Sequence, residues 1–282
     1  MPEAVQDCRL SRNFHRTFKP ERQYITAMLR FAASGAGGDS QAIAAATGIP
    51  TGASTGKVPA ILDYCRGMGL IRLGGQERTA VKKPELTPFG RTLLLEDPYL
   101  KIGLSQWIAH LNLCSPMIGA DVWYQVFFRG IQSLGMAFER AKLESHLSLV
   151  YGVEKAGLIG PLIGMYQDEA AFSACRALVE NGSNITRSPA PLNDEFGYAY
   201  GAWLLQLVAD HFPEQGQIST TELDTQAGWR TIPGWDVGSH QRALALIERK
   251  GLIEVDRHME PWLLRPRVAV EAAWKRIYDD LL

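Results

Sequence analysis

The 282-residue sequence predicts a mainly α-helical fold with small β-wings: two similar three-helix-plus-hairpin modules flanking a helical middle. Three observations carry this prediction. The first is a distant internal repeat. Gly69-Leu70-Ile71 aligns with Gly251-Leu252-Ile253, which sets Leu62 opposite Leu244 and Cys65 opposite Ile247. Upstream, Ile43 falls opposite Leu223 and Gly48 opposite Gly228, with one shift in the loop to pair Ile49-Pro50 with Ile232-Pro233. The second is helical periodicity: Val58, Ile61, Leu62 and Cys65 recur at i, i+3, i+4 and i+7, a single buried stripe. The third is punctuation by turn residues at matching places in both copies.

Each element follows in order. An amphipathic helix opens each copy, over residues 23–33 and 198–210. A short helix follows, begun at Asp39-Ser40 or at Ser219-Thr220, whose side-chain oxygens can cap free N–H groups. The third helix ends at Gly69 or Gly251, residues suited to the left-handed conformation, and Leu-Ile starts a strand. Gly74-Gly75 then marks a turn, residues 76–84 read as a polar wing, and Trp262-Leu263-Leu264 reads as the second return strand. Three helices and a hairpin make the winged helix-turn-helix plan. Between the copies, residues 99–113, 122–134, 138–150 and 158–180 read as helices, and Thr87-Pro88 as a helix start. Residues 181–191 read as turn and linker. The expected domains are 1–91, a basic arm plus winged helix; 92–195, a helical middle; and 196–282, the second winged helix.

Composition narrows the function. With 46% hydrophobic residues and 7 Trp, 9 Tyr and 10 Phe, the chain can bury a sizeable core. It has no apolar run of membrane-spanning length, and its first residues lack a signal-peptide core, so a cytoplasmic protein with no membrane partner is expected. Cys8, Cys65, Cys114 and Cys175 are scattered and form no C-x-x-C pair. The net charge of −1 is uneven: residues 1–91 hold 13 Lys+Arg against 7 Asp+Glu, a surplus of +6, and the rest carries −7. Within residues 8–20, Arg9, Arg12, Arg16 and Lys19 stand without an acid. A basic end on a winged fold points to double-stranded DNA.

The expected DNA-binding residues are Arg12, Arg16 and Lys19 of the arm, and Ser54, Thr55 and Lys57 at the start of the third helix, where free N–H groups suit a phosphate. Arg72, Arg78, Lys82 and Lys83 of the first wing complete the set. The second module has Arg242, Arg257, His258, Arg265 and Arg267, but Asp236, Glu254, Asp256 and Glu260 are interleaved, which suits protein docking better.

No catalytic motif is complete. TGASTGKV at 51–58 lacks the first glycine and the final Ser/Thr of a phosphate-binding loop, so no nucleotide is expected. His110 and Cys114, four apart on a helix, would give two metal ligands without a third. His15, His146, His211, His240 and His258 fall in no Ser/His/Asp or H-E-x-x-H pattern. Asp121, Glu139 and Lys142 are only scattered pieces of a nuclease site. Residues 181–183 and 184–186 are glycosylation sequons, without meaning in a cytoplasm.

Longer stretches carry a resemblance. NFHRTFKP at 13–20, ELTPFGRTLLLEDPYL at 85–100, QWIAHL at 106–111 and WYQVF at 123–127 resemble one bacterial family of phage-defence clusters. Those clusters replace a DNA phosphate oxygen with sulfur, and the chain resembles the nickase component of the single-stranded phosphorothioation systems. The resemblance implies strand nicking with Mg²⁺ or Mn²⁺. It also implies three protein partners: a cysteine desulfurase, an ATP pyrophosphatase and an ATPase component. It supplies no catalytic residues. A non-catalytic winged-helix adaptor or transcription regulator is the alternative.

Overall fold

A computed structural model describes residues 9–51, 56–74, 79–152 and 156–281. The expected Ser54, Thr55 and Arg78 lie outside them. The first repeat opens with α1 (Arg22–Ala33), whose Ile25, Met28, Leu29 and Ala32 are buried. The chain then enters α2 (Ser40–Thr47), where the Asp39 carboxylate accepts from the N–H groups of Gln41 and Ala42. α3 (Lys57–Gly67) buries Val58, Ile61, Leu62 and Cys65, the predicted stripe. Gly69 takes φ +70° and the chain turns into β1 (Ile71–Gly74), paired antiparallel with β2 (Lys83–Leu86). Gly38, just before α2, bridges to Lys82, just before β2.

α4 (Pro88–Glu96) begins at Thr87, whose hydroxyl accepts from the Gly90 N–H at 2.9 Å. α5 (Gly103–Leu113) is buried along almost its whole length. Next come the single turn α6 (Asp121–Tyr124), a π-helical turn over Gln125–Arg129 and α7 (Ile131–Leu134), so the continuous helix expected over 122–134 is broken into three. The middle is also not purely helical. β3 (Ala137–Glu139), α8 (Arg140–Tyr151) and α9 (Ala156–Gln167) precede β4 (Leu178–Asn181) and β5 (Asn184–Arg187), and the strands form one antiparallel sheet in the order β3-β5-β4. Residues 178–187, read from sequence as a helix end and a linker, are thus a hairpin. Its two-residue corner is Gly182-Ser183, between the paired Asn181 and Asn184, with Gly182 supplying the positive φ of +63° at the first turn position.

The second repeat runs α10 (Gly197–His211), β6 (Ile218–Ser219), α11 (Thr220–Glu222) continuing as a π-helical turn over Leu223–Ala227, α12 (Val237–Arg249), β7 (Ile253–Asp256) and β8 (Leu263–Pro266). Ser219 and Glu222 form a capping box. β6 pairs with β8 and β8 with β7, so the element before the short helix meets the return strand, as Gly38 meets Lys82 in the first copy. Gly251 matches Gly69 with φ +72°. α13 (Val270–Trp274) closes the chain, and Trp274 stacks on Phe89 of α4 with centroids 4.8 Å apart.

One buried cluster runs through all three regions. Trp203 packs on Trp229 and Trp229 on Trp235, at 5.1 and 5.2 Å. Arg187, 2% exposed, leaves the end of β5 and donates through Nη2 to the carbonyls of Thr231 at 2.8 Å and Ile232 at 2.7 Å. That cation ties the middle sheet to the loop between the π-turn and α12. Among the described residues, no helix is long and apolar enough to cross a membrane.

Candidate nucleic-acid interface

From Arg9 onward the N-terminal arm is bound to the body. Leu10 makes a parallel bridge with Ala120, and its N–H donates to the Gly119 carbonyl at 2.8 Å. Phe14 is buried against Tyr64 and Trp123, at 4.7 and 5.9 Å between centroids. His15 is 2% exposed; its Nδ1 accepts from the Thr17 N–H at 3.0 Å and its Nε2 has no partner. Burial lowers its pKa to about 4, so the ring is neutral at pH 7 and carries no charge for a phosphate. The aromatic and His positions of NFHRTFKP therefore fasten the arm.

Half of the expected cations, with Arg9 beside them, are engaged by side chains of the same chain. Arg9 reaches Asp121 at 3.3 Å and the Pro116 carbonyl at 2.7 Å, and lies 4.0 Å over Tyr124. Arg12 sits 5.2 Å over Tyr151, and Lys19 pairs with Asp168. Lys57 Nζ pairs with Glu21 at 2.6 Å and stands 4.2 Å over Tyr24. Arg72 pairs with Glu85, its opposite residue in the hairpin register, at 3.1 Å. Two of these pairs, Arg9 with Asp121 and Lys19 with Asp168, set N-terminal cations against carboxylates outside residues 1–91 and so reduce the surplus, whereas Glu21 and Glu85 are already counted in it.

A further group lies around α3. Arg16, exposed and at φ +47°, packs against Gly56, where an added Cβ would lie 2.0 Å from its Cδ. Arg16 and Lys82 both face Asp63 of α3, which pairs with Arg66 at 3.2 Å. Burial raises the Asp63 pKa and the three cations pull it back. Lys83 is exposed and has no ion-pair partner among the described residues. The fold thus gathers Arg16, Lys82 and Lys83 around one end of the first module, while Arg12 and Lys19 are anchored on the middle region.

The second module is also internally paired. Arg257 meets Glu248 at 2.8 Å, Arg267 pairs with Glu254, and Arg242 donates to Ser239 Oγ at 2.9 Å. Beside α12 lies a groove of about 340 Å³, lined by Thr220, Asp224, Arg230, His240, Gln241 and Trp262 among others. Asp224 binds Arg230 at 3.2 Å, so the groove wall is largely self-neutralised.

The two candidate metal ligands gather no third ligand among the described residues. Cys114 Sγ is 3.6 Å from His110 Nδ1, which is hydrogen-bonded to Tyr166 Oη at 2.7 Å; that hydroxyl accepts from Trp123 Nε1 at 3.0 Å. Asp121 is occupied by Arg9 and by the Tyr151 hydroxyl at 2.7 Å. Among the described residues, no three His, Cys, Asp or Glu side chains gather as a metal site. The described side chains therefore do not by themselves fit a metal centre. Sequence reasoning missed Asp63, whose neighbours Arg16 and Lys82 are far from it in sequence. It also missed a contact between Ser133 and His146, at 3.2 Å, for which no local motif exists.

No family model and no curated protein matches the chain. Two solved structures share its fold. One is a magnesium ion-bound SspB crystal structure, at TM-score 0.67 and 17% identity, covering 95% of this chain and 87% of that one. The other is an SspB crystal structure, at TM-score 0.67 and 18% identity, covering 98% and 89%.

Proposed function

We propose that this protein is a DNA-binding component of a phosphorothioation system and that it nicks one strand for sulfur incorporation. The observation that carries the reading is the fold shared with SspB over nearly the whole chain, together with the family resemblance of NFHRTFKP and ELTPFGRTLLLEDPYL. In this reading the two repeats are winged helix-turn-helix units, with the middle region between them. Residues 1–91 form the module that meets double-stranded DNA, through Arg16, Lys82 and Lys83. The remainder docks the cysteine desulfurase, the ATP pyrophosphatase and the ATPase component in the cytoplasm. Mg²⁺ or Mn²⁺ would serve nicking by neutralising charge at the phosphate, and a bound DNA phosphate would have to complete its ligand set.

Supercoiled plasmid incubated with the purified protein and Mg²⁺ or Mn²⁺ is expected to give open circles. Absence of nicking, with and without the partner proteins, rejects the enzyme. Duplex binding without cleavage is the result expected of a non-catalytic adaptor. Lys82→Glu combined with Lys83→Glu is expected to lower duplex affinity about tenfold or more and to make the logarithmic salt slope shallower by roughly 2. Unchanged affinity and slope would move the interface away from the first module.

A further inference from the structure

Ser133, at the end of α7, and His146, on α8, form a nucleophile–base pair that no sequence motif announces. His146 Nε2 lies 3.2 Å from the Gln125 carbonyl, which can only accept, so in the neutral ring Nε2 carries the proton. Nδ1 is then a bare acceptor, and it faces Ser133 Oγ at 3.2 Å. The hydroxyl proton is shared with the Gly130 carbonyl, also at 3.2 Å. This is the arrangement of an activated nucleophile: hydroxyl, base, and a third group that orients the base.

Gly130 shows that the approach is built. Its φ of −80° is open to any residue, so the backbone does not require glycine there. Space does: an added Cβ would lie 2.5 Å from the Gln125 carbonyl oxygen and 3.0 Å from His146 Nε2. The carbonyl belongs to the π-helical turn over Gln125–Arg129, a distortion found often at functional sites. Lys142, one turn before His146 on α8, donates to the Leu134 carbonyl at 3.4 Å, which puts an exposed cation beside the serine. Arg129, exposed, ends the π-turn.

We propose that Ser133 attacks phosphorus in the DNA backbone with His146 as its base; this rests on the nicking function proposed above. The Ser133 Oγ–P bond forms and the P–O bond to one sugar breaks. The hydroxyl proton passes to His146 Nδ1 and then to solvent, and the departing sugar oxygen takes a proton from solvent. Lys142 and Arg129 offset the phosphate charge. The Gln125 carbonyl and Gly130 are positioning elements.

The full-length protein is treated with a fluorophosphonate, which forms the same Oγ–P bond with loss of fluoride, and labelled peptides are identified by mass spectrometry. Ser133 is expected to label at least ~100-fold faster than the exposed Ser145, and His146→Ala to remove most of that advantage. Gly130→Ala, checked for folding by circular dichroism, is expected to slow labelling too. With end-labelled duplex and a denaturing quench, a DNA–protein adduct at Ser133 is expected, lost in Ser133→Ala. Labelling of Ser133 no faster than Ser145 overturns the pair. Open circles formed equally well by Ser133→Ala overturn the serine while the nicking function stands. Fast labelling without nicking or adduct supports the activated serine and overturns phosphodiesters as its target.

Discussion

Gly90→Ala is expected to destabilise the protein by about 3 kcal/mol, at the upper end of what overpacking costs. An added Cβ would lie 1.9 Å from the Leu70 carbonyl oxygen and 2.9 Å from its carbon, so backbone must move. The surroundings leave no easy direction. Thr87 Oγ1 donates to the Gly69 carbonyl at 2.6 Å while accepting from Gly90 N–H, and Thr87 N–H donates to Leu70 at 3.1 Å. Phe89, one residue away, is clamped on Trp274. TPFG at 87–90 is thus a single device: a cap, a proline at the first helical position, an aromatic anchor and a glycine for contact. Thermal unfolding should fall by roughly 10 °C, at about 2–4 °C per kcal/mol. Gly157→Ala is the control: it lies in α9 with nothing within 4 Å, and should be neutral or stabilising by up to ~1 kcal/mol. Equal effects at Gly90 and Gly157 would reject the steric account. Because β1 and β2 are seated by this contact, Gly90→Ala should also weaken whatever Lys82 and Lys83 bind.

The repeat was legible because both copies signal locally. Asp39 and Ser219 cap, Gly69 and Gly251 turn left-handed, and the stripe from Val58 to Cys65 is buried as periodicity requires. The middle region was harder to read, because its signals conflict. Leu178 and Val179 are as compatible with a helix end as with a strand, and only pairing with β5 decides. Arg187 reads as a surface linker cation, yet the meeting of β5 with the Thr231–Ile232 carbonyls buries it. At the site, charge counting located the basic segment but not which of its cations are paired. Glu21 against Lys57 and Asp168 against Lys19 are tertiary neighbours, the latter 149 residues apart. Ser133 with His146 was invisible for the same reason.

Stability is expected to fall steeply between pH 6.5 and 4, where histidines rather than most carboxylates titrate. Burial lowers the pKa of His110 to about 3 and of His15 to about 4, and pushes His211 and His240 down as well. Each ordinary histidine of the unfolded chain binds its proton near pH 6.5, while the native ring stays neutral. The unfolded state therefore holds more protons below pH 6.5, and stability drops as pH falls toward the native pKa. Each ring contributes up to about 1.4 kcal/mol per pH unit, so His110 and His15 together contribute nearly 3. Asp63, raised by burial, takes its proton earlier in the native state and offsets part of this at the acid end. Asp168, with its pKa lowered by Lys19, adds its loss only below the usual carboxylate range. His110→Leu separates the causes. It leaves the Tyr166 hydroxyl without its 2.7 Å hydrogen-bond partner, so the variant should be about 1–3 kcal/mol less stable at pH 7.5. Its urea midpoint should nonetheless change less between pH 7.5 and 5.0 than the parent's. His15→Phe should flatten the same profile, and protonation there would free the arm that Phe14 and Leu10 hold against Trp123 and Ala120. An unaltered pH slope in both variants would show that the acid sensitivity has another source.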